Sequence, residues 1–167
     1  MIKLFDDRVP QYLIKNILSD NEREKLIKDC KPYLLDGKEL SQKYGGSYPG
    51  KQTEANLQYI SCFKDPIDKI LFEIINVLKQ DLDLQKAWIN WTSGKPTDIN
   101  WHNHSYAKFS AVYYMTPHNC GTQFEDSFIE TELNSLLIFS SDLLHTAPMS
   151  DERYDRYTMA IDLNYKG

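Results

Sequence analysis

The hydrophobic pattern of this chain changes period near residue 86, and that change constrains its fold more than any other feature. Before it, Ile67, Ile70, Leu71, Ile74, Ile75 and Leu78 recur at i, i+3, i+4, i+7, i+8 and i+11, the stripe of an amphipathic helix packed on one side. Asp65 is a suitable N-cap for it and Pro66 a suitable first-turn residue. Residues 12–35 also read as helical. Ser19, Asp20 or Asn21 can cap the start, Glu22 and Glu24 suit the first turn, and Leu26, Ile27 and Cys30 follow at helical spacing. Residues 36–56, with Gly37, Gly45, Gly46, Pro49 and Gly50, read as a mobile loop long enough for a lid. After residue 86 come short β-rich runs at 86–91, 109–115, 122–124, 135–139 and 157–163, separated by Gly, Pro, Asn and Asp. Helices first and strands after predict an α+β domain, mainly β, with helices covering one sheet of a sandwich or barrel. At 167 residues the expectation is a single domain over 1–167. Its helical and loop part spans 1–85 and its strands 86–167.

Charge and cysteine content narrow the function. The formal net charge is -5, whereas a general phosphate-backbone binder is usually basic, so no nucleic-acid partner is expected. Cys30, Cys62 and Cys120 form no CxxC pair and are odd in number, which suggests neither a zinc knuckle nor a disulfide framework. Free thiols fit a reducing, cytoplasmic setting. The first residues, MIKLFDDRVPQYL, lack the apolar core of a signal peptide. No apolar run approaches the ~20 residues that span a bilayer, so no membrane association is expected.

The four histidines carry the chemistry. His102 and His104 lie two residues apart, a spacing that puts both imidazoles on one face of a strand. His145 follows the apolar run at 135–139 and can join them from across a sandwich. Three ligands from two strands leave coordination positions open, as a catalytic metal requires. Two exposed histidines in a turn are the competing reading of His102 and His104. His118, in Thr116-Pro117-His118-Asn119, reads as a solvated turn residue.

Four stretches then point to a family. Trp101-His102-Asn103-His104 precedes Phe109-Ser110-Ala111-Val112-Tyr113-Tyr114-Met115. Cys120-Gly121-Thr122-Gln123-Phe124 follows, then Ser135-Leu136-Leu137-Ile138-Phe139-Ser140-Ser141 ahead of His145, then Arg156-Tyr157-Thr158-Met159-Ala160-Ile161. In this order and spacing, residues 88–164 resemble the 2-oxoglutarate/Fe(II) oxygenases, and among them the small prolyl-hydroxylase-like members. The resemblance implies a double-stranded β-helix, a jelly roll with N-terminal helices packed on its major sheet. It also implies Fe(II) and 2-oxoglutarate as cofactors. The function it implies is hydroxylation of a small-molecule or peptide substrate, such as a prolyl or other amino-acid residue.

By the same resemblance His102, His104 and His145 are the metal ligands, and Arg156, assisted by Tyr114 and Thr158, holds the distal carboxylate of 2-oxoglutarate. One departure matters. His104 stands where the family carries Asp or Glu, which leaves the site one negative charge short. Glu125 or Asp126 is nearby in sequence to supply a carboxylate. Arg153 reads as a surface salt-bridge residue. Trp91, Trp101 and Tyr106 are candidates to line the substrate side, while Trp88 reads as ordinary core. Two further readings stay open: a cupin-like three-histidine metal enzyme that does not use 2-oxoglutarate, and a non-catalytic jelly-roll binding protein.

Overall fold

The computed structural model describes residues 2–3, 12–48, 50–93, 101–118, 120–147 and 155–167. The described residues form two antiparallel sheets and three α-helices. Strands β1 (Ile2–Lys3), β2 (Tyr12–Lys15), β3 (Lys51–Gln52), β4 (Leu82–Ser93), β5 (Phe109–Tyr114), β8 (Ser135–Ser140) and β10 (Asp155–Tyr165) form the larger sheet, in the order β1-β2-β8-β5-β10-β4-β3. Strands β6 (Gly121–Phe124), β7 (Phe128–Glu130) and β9 (His145–Thr146) form the smaller one, in the order β7-β6-β9. The helices are α1 (Asp20–Cys30), α2 (Gly37–Tyr44) and α3 (Lys64–Leu78). No helix among the described residues is long and apolar enough to cross a membrane.

Strand alternation sorts side chains into two cores. On β10, Tyr157, Met159, Ile161 and Leu163 point toward the helices and pack with Ile67, Ile70 and Ile74 of α3. Full burial of Ile70 and Ile74 contributes roughly 1.5–3 kcal/mol each. The alternate residues Arg156, Thr158, Ala160 and Asp162 face the smaller sheet, and all four are buried. Neighbouring strands obey the same rule. Tyr113 belongs to the helix-side core, whereas Tyr114 packs with Phe124, Leu137 and Phe139 between the sheets. On β4 the pairing with β10 slips between Asp162 and Leu163. Leu84 pairs with Leu163 and Lys86 with Asp162, so Gln85 is the extra residue of a bulge. The bulge resets the alternation. Leu82 and Leu84 before it, and Ala87, Ile89 and Trp91 after it, therefore all reach the helix-side core.

Three sequence expectations are corrected. Residues 12–35 are not one helix. Tyr12–Lys15 is a strand paired with Ile138–Ser135 of β8, and the helix starts at Asp20. The apolar positions 13, 14, 17 and 18 mimic helical spacing, but pairing with β8 satisfies the 12–15 backbone, and Asn16 at φ 59 ends the extended run. Ser19 caps α1 through a full capping box with Glu22. Residues 36–56 are not a loop throughout. Asp36 caps α2 by accepting from the Glu39 N–H at 2.8 Å, Gly45 closes it at φ 74, and Lys51–Gln52 pairs with β4. Finally, α3 begins at Lys64, one residue before the proposed cap, because the 3-10 turn Ser61–Phe63 runs directly into it.

Candidate metal centre

Backbone pairing brings the three histidines together. His102 and His145 form an isolated antiparallel bridge, with His102 N–H to His145 O at 3.1 Å and His145 N–H to His102 O at 2.9 Å. The bridge extends the smaller sheet beside β9. Two residues on, the His104 N–H donates to Ser141 O at 2.9 Å, and the His104 carbonyl accepts from Ala107 N–H at 2.8 Å. The i, i+2 spacing is thereby pinned at both ends, on the segment that leads into β5. Ring centroids lie 4.4 Å apart for His102–His145, 5.2 Å for His102–His104 and 5.1 Å for His104–His145. One ligand atom from each ring lies within 4.8 Å of the others. Nitrogens bound at ~2.1 Å to one ion sit ~3–4 Å apart, so small ring rotations complete the cage.

The tautomers suit a metal. The His145 Nδ1 lies 2.8 Å from the Leu143 carbonyl, an acceptor only, so Nδ1 carries the proton and Nε2 keeps its lone pair. Burial, with two imidazoles beside it, pushes the His145 ring down to about 4, so it is neutral and ready to ligate at physiological pH. The His104 Nδ1 lies 2.8 Å from Asp162 Oδ1, which again leaves Nε2 for the ion. Phe139 and Phe124 pack edgewise and at a tilt on the His145 ring, at 4.8 and 6.2 Å between centroids. Asn103, between the two ligating positions, is exposed.

The carboxylate at the site is not the one expected. Glu125 and Asp126 are exposed in the turn between β6 and β7. Asp162, fully buried on β10, makes the contact with His104 instead. Sequence reasoning passed over Asp162 because 58 residues separate it from His104. A charged residue inside the apolar run Met159-Ala160-Ile161-Asp162-Leu163 was the available signal.

Arg156 sits at the other end of the same face of β10. It is buried, its Nη2 donates to the Gly121 carbonyl at 3.1 Å, and its guanidinium carbon stands 6.0 Å from the Tyr114 ring centroid. Burial lowers its affinity for a proton from the usual arginine range. Thr158 pairs with Tyr114 across β5 and β10, and the Tyr114 hydroxyl shares a 2.6 Å hydrogen bond with Thr122 Oγ1. Burial pushes the Tyr114 phenol up to about 12, which keeps it a neutral donor. Strand β6 links this cluster to the histidines: Arg156 holds the carbonyl of Gly121, and Phe124, three residues on, pairs with His145. Three strand residues span ~10 Å.

The aromatic residues divide differently from the sequence reading. Trp88 is buried on the site side, its ring 5.4 Å from that of His104. Trp91 packs on the helix side instead, with Nε1 donating to Asp155 at 3.0 Å. Trp101 and Tyr106 are exposed beside the histidines. Tyr44 is exposed on α2. Arg153 lies outside the described residues.

No family model and no curated protein matches this sequence. Solved structures do match. The viral collagen prolyl hydroxylase of Paramecium bursaria Chlorella virus-1 superposes with a TM-score of 0.66 at 15% identity, covering 94% of this chain and 90% of that one. HygX from Streptomyces hygroscopicus, with nickel and 2-oxoglutarate bound, gives 0.67 at 12% identity over 93% of this chain and 83% of that one. SnoN, a non-heme α-ketoglutarate-dependent epimerase from nogalamycin biosynthesis, gives 0.65 at 11% identity over 94% and 80%. At these identities the likeness speaks for architecture: the chain carries the jelly-roll fold of these structures, and it brings one ligand atom from each of its three histidines within 4.8 Å of the others.

Proposed function

We propose that this protein is an Fe(II)- and 2-oxoglutarate-dependent oxygenase that hydroxylates a small-molecule or peptide substrate, such as a prolyl or other amino-acid residue. The observation that carries the reading is the strand β6 that joins its two polar clusters, Arg156 at one end and the histidines at the other. Arg156 contacts the Gly121 end of β6 and His145 pairs with Phe124 at the other, a backbone span of ~10 Å between those two β6 residues. A five-carbon diacid spans roughly 5 Å between its end carbons. Such a diacid would lie with one end toward the histidines and the other toward the Arg156 guanidinium.

The donor set fits iron. His102, His104 and His145 would hold it, with positions left open for a chelating 2-oxo acid and O2. When bound, iron with 2-oxoglutarate supplies the oxidising power for attack on a C–H bond, and the chain supplies orientation and exclusion of water. Arg156 would bind the far carboxylate through its fork of N–H donors, with Thr158 and Tyr114 adding hydroxyl donors on the same face. Phe124, Phe139 and Trp88 shield the imidazoles and fix their planes. Similar folds whose structures hold nickel or iron and 2-oxoglutarate support the reading. The epimerase among them leaves the reaction on the substrate to be determined.

A cupin-like three-histidine enzyme without 2-oxoglutarate is the second reading, favoured by the imidazole at position 104. Anaerobic titration with Fe(II), then 2-oxoglutarate, separates the two. A weak visible charge-transfer band that saturates with 2-oxoglutarate is expected. Tight Fe(II) binding with no such band would overturn the first reading and favour the second.

A further inference from the structure

The replacement of a carboxylate by His104 has a counterpart inside the protein. Asp162 is completely buried, and three donors converge on it. His104 Nδ1 and Ser110 Oγ each lie 2.8 Å from Oδ1, and the Tyr106 hydroxyl donates to Oδ2. Each donor has its own support. Ser110 pairs directly with Asp162 across β5 and β10. Tyr106 stacks parallel to His104 at 6.0 Å, and the Lys86 ammonium stands 4.1 Å from the Tyr106 ring centroid. His104 is pressed from behind by Trp88. A buried carboxylate is costly unless it is paired and hydrogen-bonded, and these contacts give it two hydroxyl donors and one imidazole. The imidazole is a member of the triad that would hold the metal.

On the reading of the three histidines as a metal site, we infer that Asp162 is a positioning and charge-balancing residue for that site. It replaces, through the His104 ring, the negative charge that a directly bound carboxylate would have brought. The Asp162–His104 hydrogen bond fixes the ring tautomer and plane, and a carboxylate behind an imidazole makes the ring a stronger donor to a cation. The site is then short of an anion among its ligands but not in its surroundings. The carboxylate has moved from the ion to the far side of the ring that took its place. This is why His104 and Asp162 form a unit: either residue alone breaks the charge balance.

The test is a double-mutant cycle read by anaerobic Co(II) titration, using visible absorption of the bound ion and without 2-oxoglutarate. Asp162→Asn keeps the shape and an acceptor for the His104 N–H and removes the charge. It is expected to weaken Co(II) binding ~10–100-fold and to shift the visible bands of the bound ion. In the His104→Asp background, where a carboxylate reaches the ion directly, Asp162→Asn is expected to be neutral or to tighten binding, because it relieves repulsion between two buried carboxylates. An equal loss in both backgrounds would make Asp162 a purely structural residue and overturn the inference. A change under ~3-fold in the parent would do the same.

The unmutated protein offers an independent measurement that does not depend on variant folding. In Zn(II)-loaded protein, imidazole NMR should show His104 bound through Nε2, with a slowly exchanging downfield Nδ1–H. Binding through Nδ1, or a rapidly exchanging Nδ1 proton, would refute the arrangement. Because no measurement uses 2-oxoglutarate, its failure to bind would sink the proposed function and leave this inference standing. Failure of the parent to bind Co(II) would remove both.

Discussion

On the proposed function, replacing Arg156 should separate cofactor binding from metal binding. Its guanidinium spends one donor on the Gly121 carbonyl and stands over the Tyr114 ring. A guanidinium presents its N–H donors as a planar fork whose geometry matches a carboxylate. In Arg156→Lys the charge stays but the fork is lost. One charge-assisted hydrogen bond is worth about 1.5–3 kcal/mol, which corresponds to roughly 10–150-fold in the Kd for 2-oxoglutarate. Arg156→Met keeps most of the volume and removes the charge, leaving a carboxylate to be buried without its partner. That costs about 3–5 kcal/mol, or roughly 150-fold to several thousand-fold. The histidines adjoin the opposite end of β6, so Mn(II) affinity should stay within about 3-fold. The assay is anaerobic calorimetric titration of 2-oxoglutarate into Mn(II)-loaded protein, with unfolding midpoints recorded to correct for the lost Gly121 contact. If Arg156→Met bound 2-oxoglutarate within ~3-fold of the parent, Arg156 would not be the anchor. If metal affinity fell by the same factor as 2-oxoglutarate affinity, the variant would have disturbed the whole site and the spacing argument would fail.

Other perturbations test the scaffold around the site. Gly121→Ala should destabilise by about 2 kcal/mol or more: Gly121 has φ +151, and an added Cβ would lie 2.7 Å from the Ile129 carbonyl and 2.4 Å from the Phe128 ring. An unchanged urea midpoint would contradict this. Asn134 sits at φ 63, accepts from the Leu18 N–H at 3.0 Å and from the Tyr113 hydroxyl, and donates to the Leu18 carbonyl at 2.7 Å. Asn134→Gly, which tolerates that φ, isolates the loss of these bonds, and a cost of about 2–3 kcal/mol is expected in denaturant unfolding. The metal-free protein should lose stability as pH falls from about 6.5 toward about 4, because unfolded His145 takes up a proton that the folded ring refuses until about 4. The full effect is about 3 kcal/mol, complete near pH 4 and absent above about 7. His145→Gln should flatten that part of the pH–stability curve, and an unaltered slope would refute the assignment.

Much of the architecture was legible from local pattern. The strands at 86–91, 109–115, 122–124, 135–139 and 157–163 lie within or overlap β4, β5, β6, β8 and β10, because β-branched and aromatic runs flanked by turn residues favour extension wherever they are placed. The α3 stripe was equally plain, since three of its isoleucines needed one apolar face to rest on. Where pairing partners decide, local pattern misled. Residues 13, 14, 17 and 18 satisfy a helix and a strand-plus-turn alike, and only β8 alongside selects the strand. In residues 36–56 the glycines hid Asp36, Glu39 and Gly45, which are the cap and stop of α2.

The same division runs through the site. The His-x-His spacing and the run before His145 led to the three histidines that the structure brings together, and the family resemblance led to Arg156, which is buried. The sequence also registers that His104 stands where the resembled family carries a carboxylate. It could not say where the missing charge went. Asp162 is brought to His104 by the antiparallel register of β10 against β5, which sets Asp162 opposite Ser110, and by the His102–His145 bridge, which fixes the ligand segment above them. That contact joins residues 58 positions apart. It exists only because two strands, each selected for its apolar face, present their other faces to the same small volume.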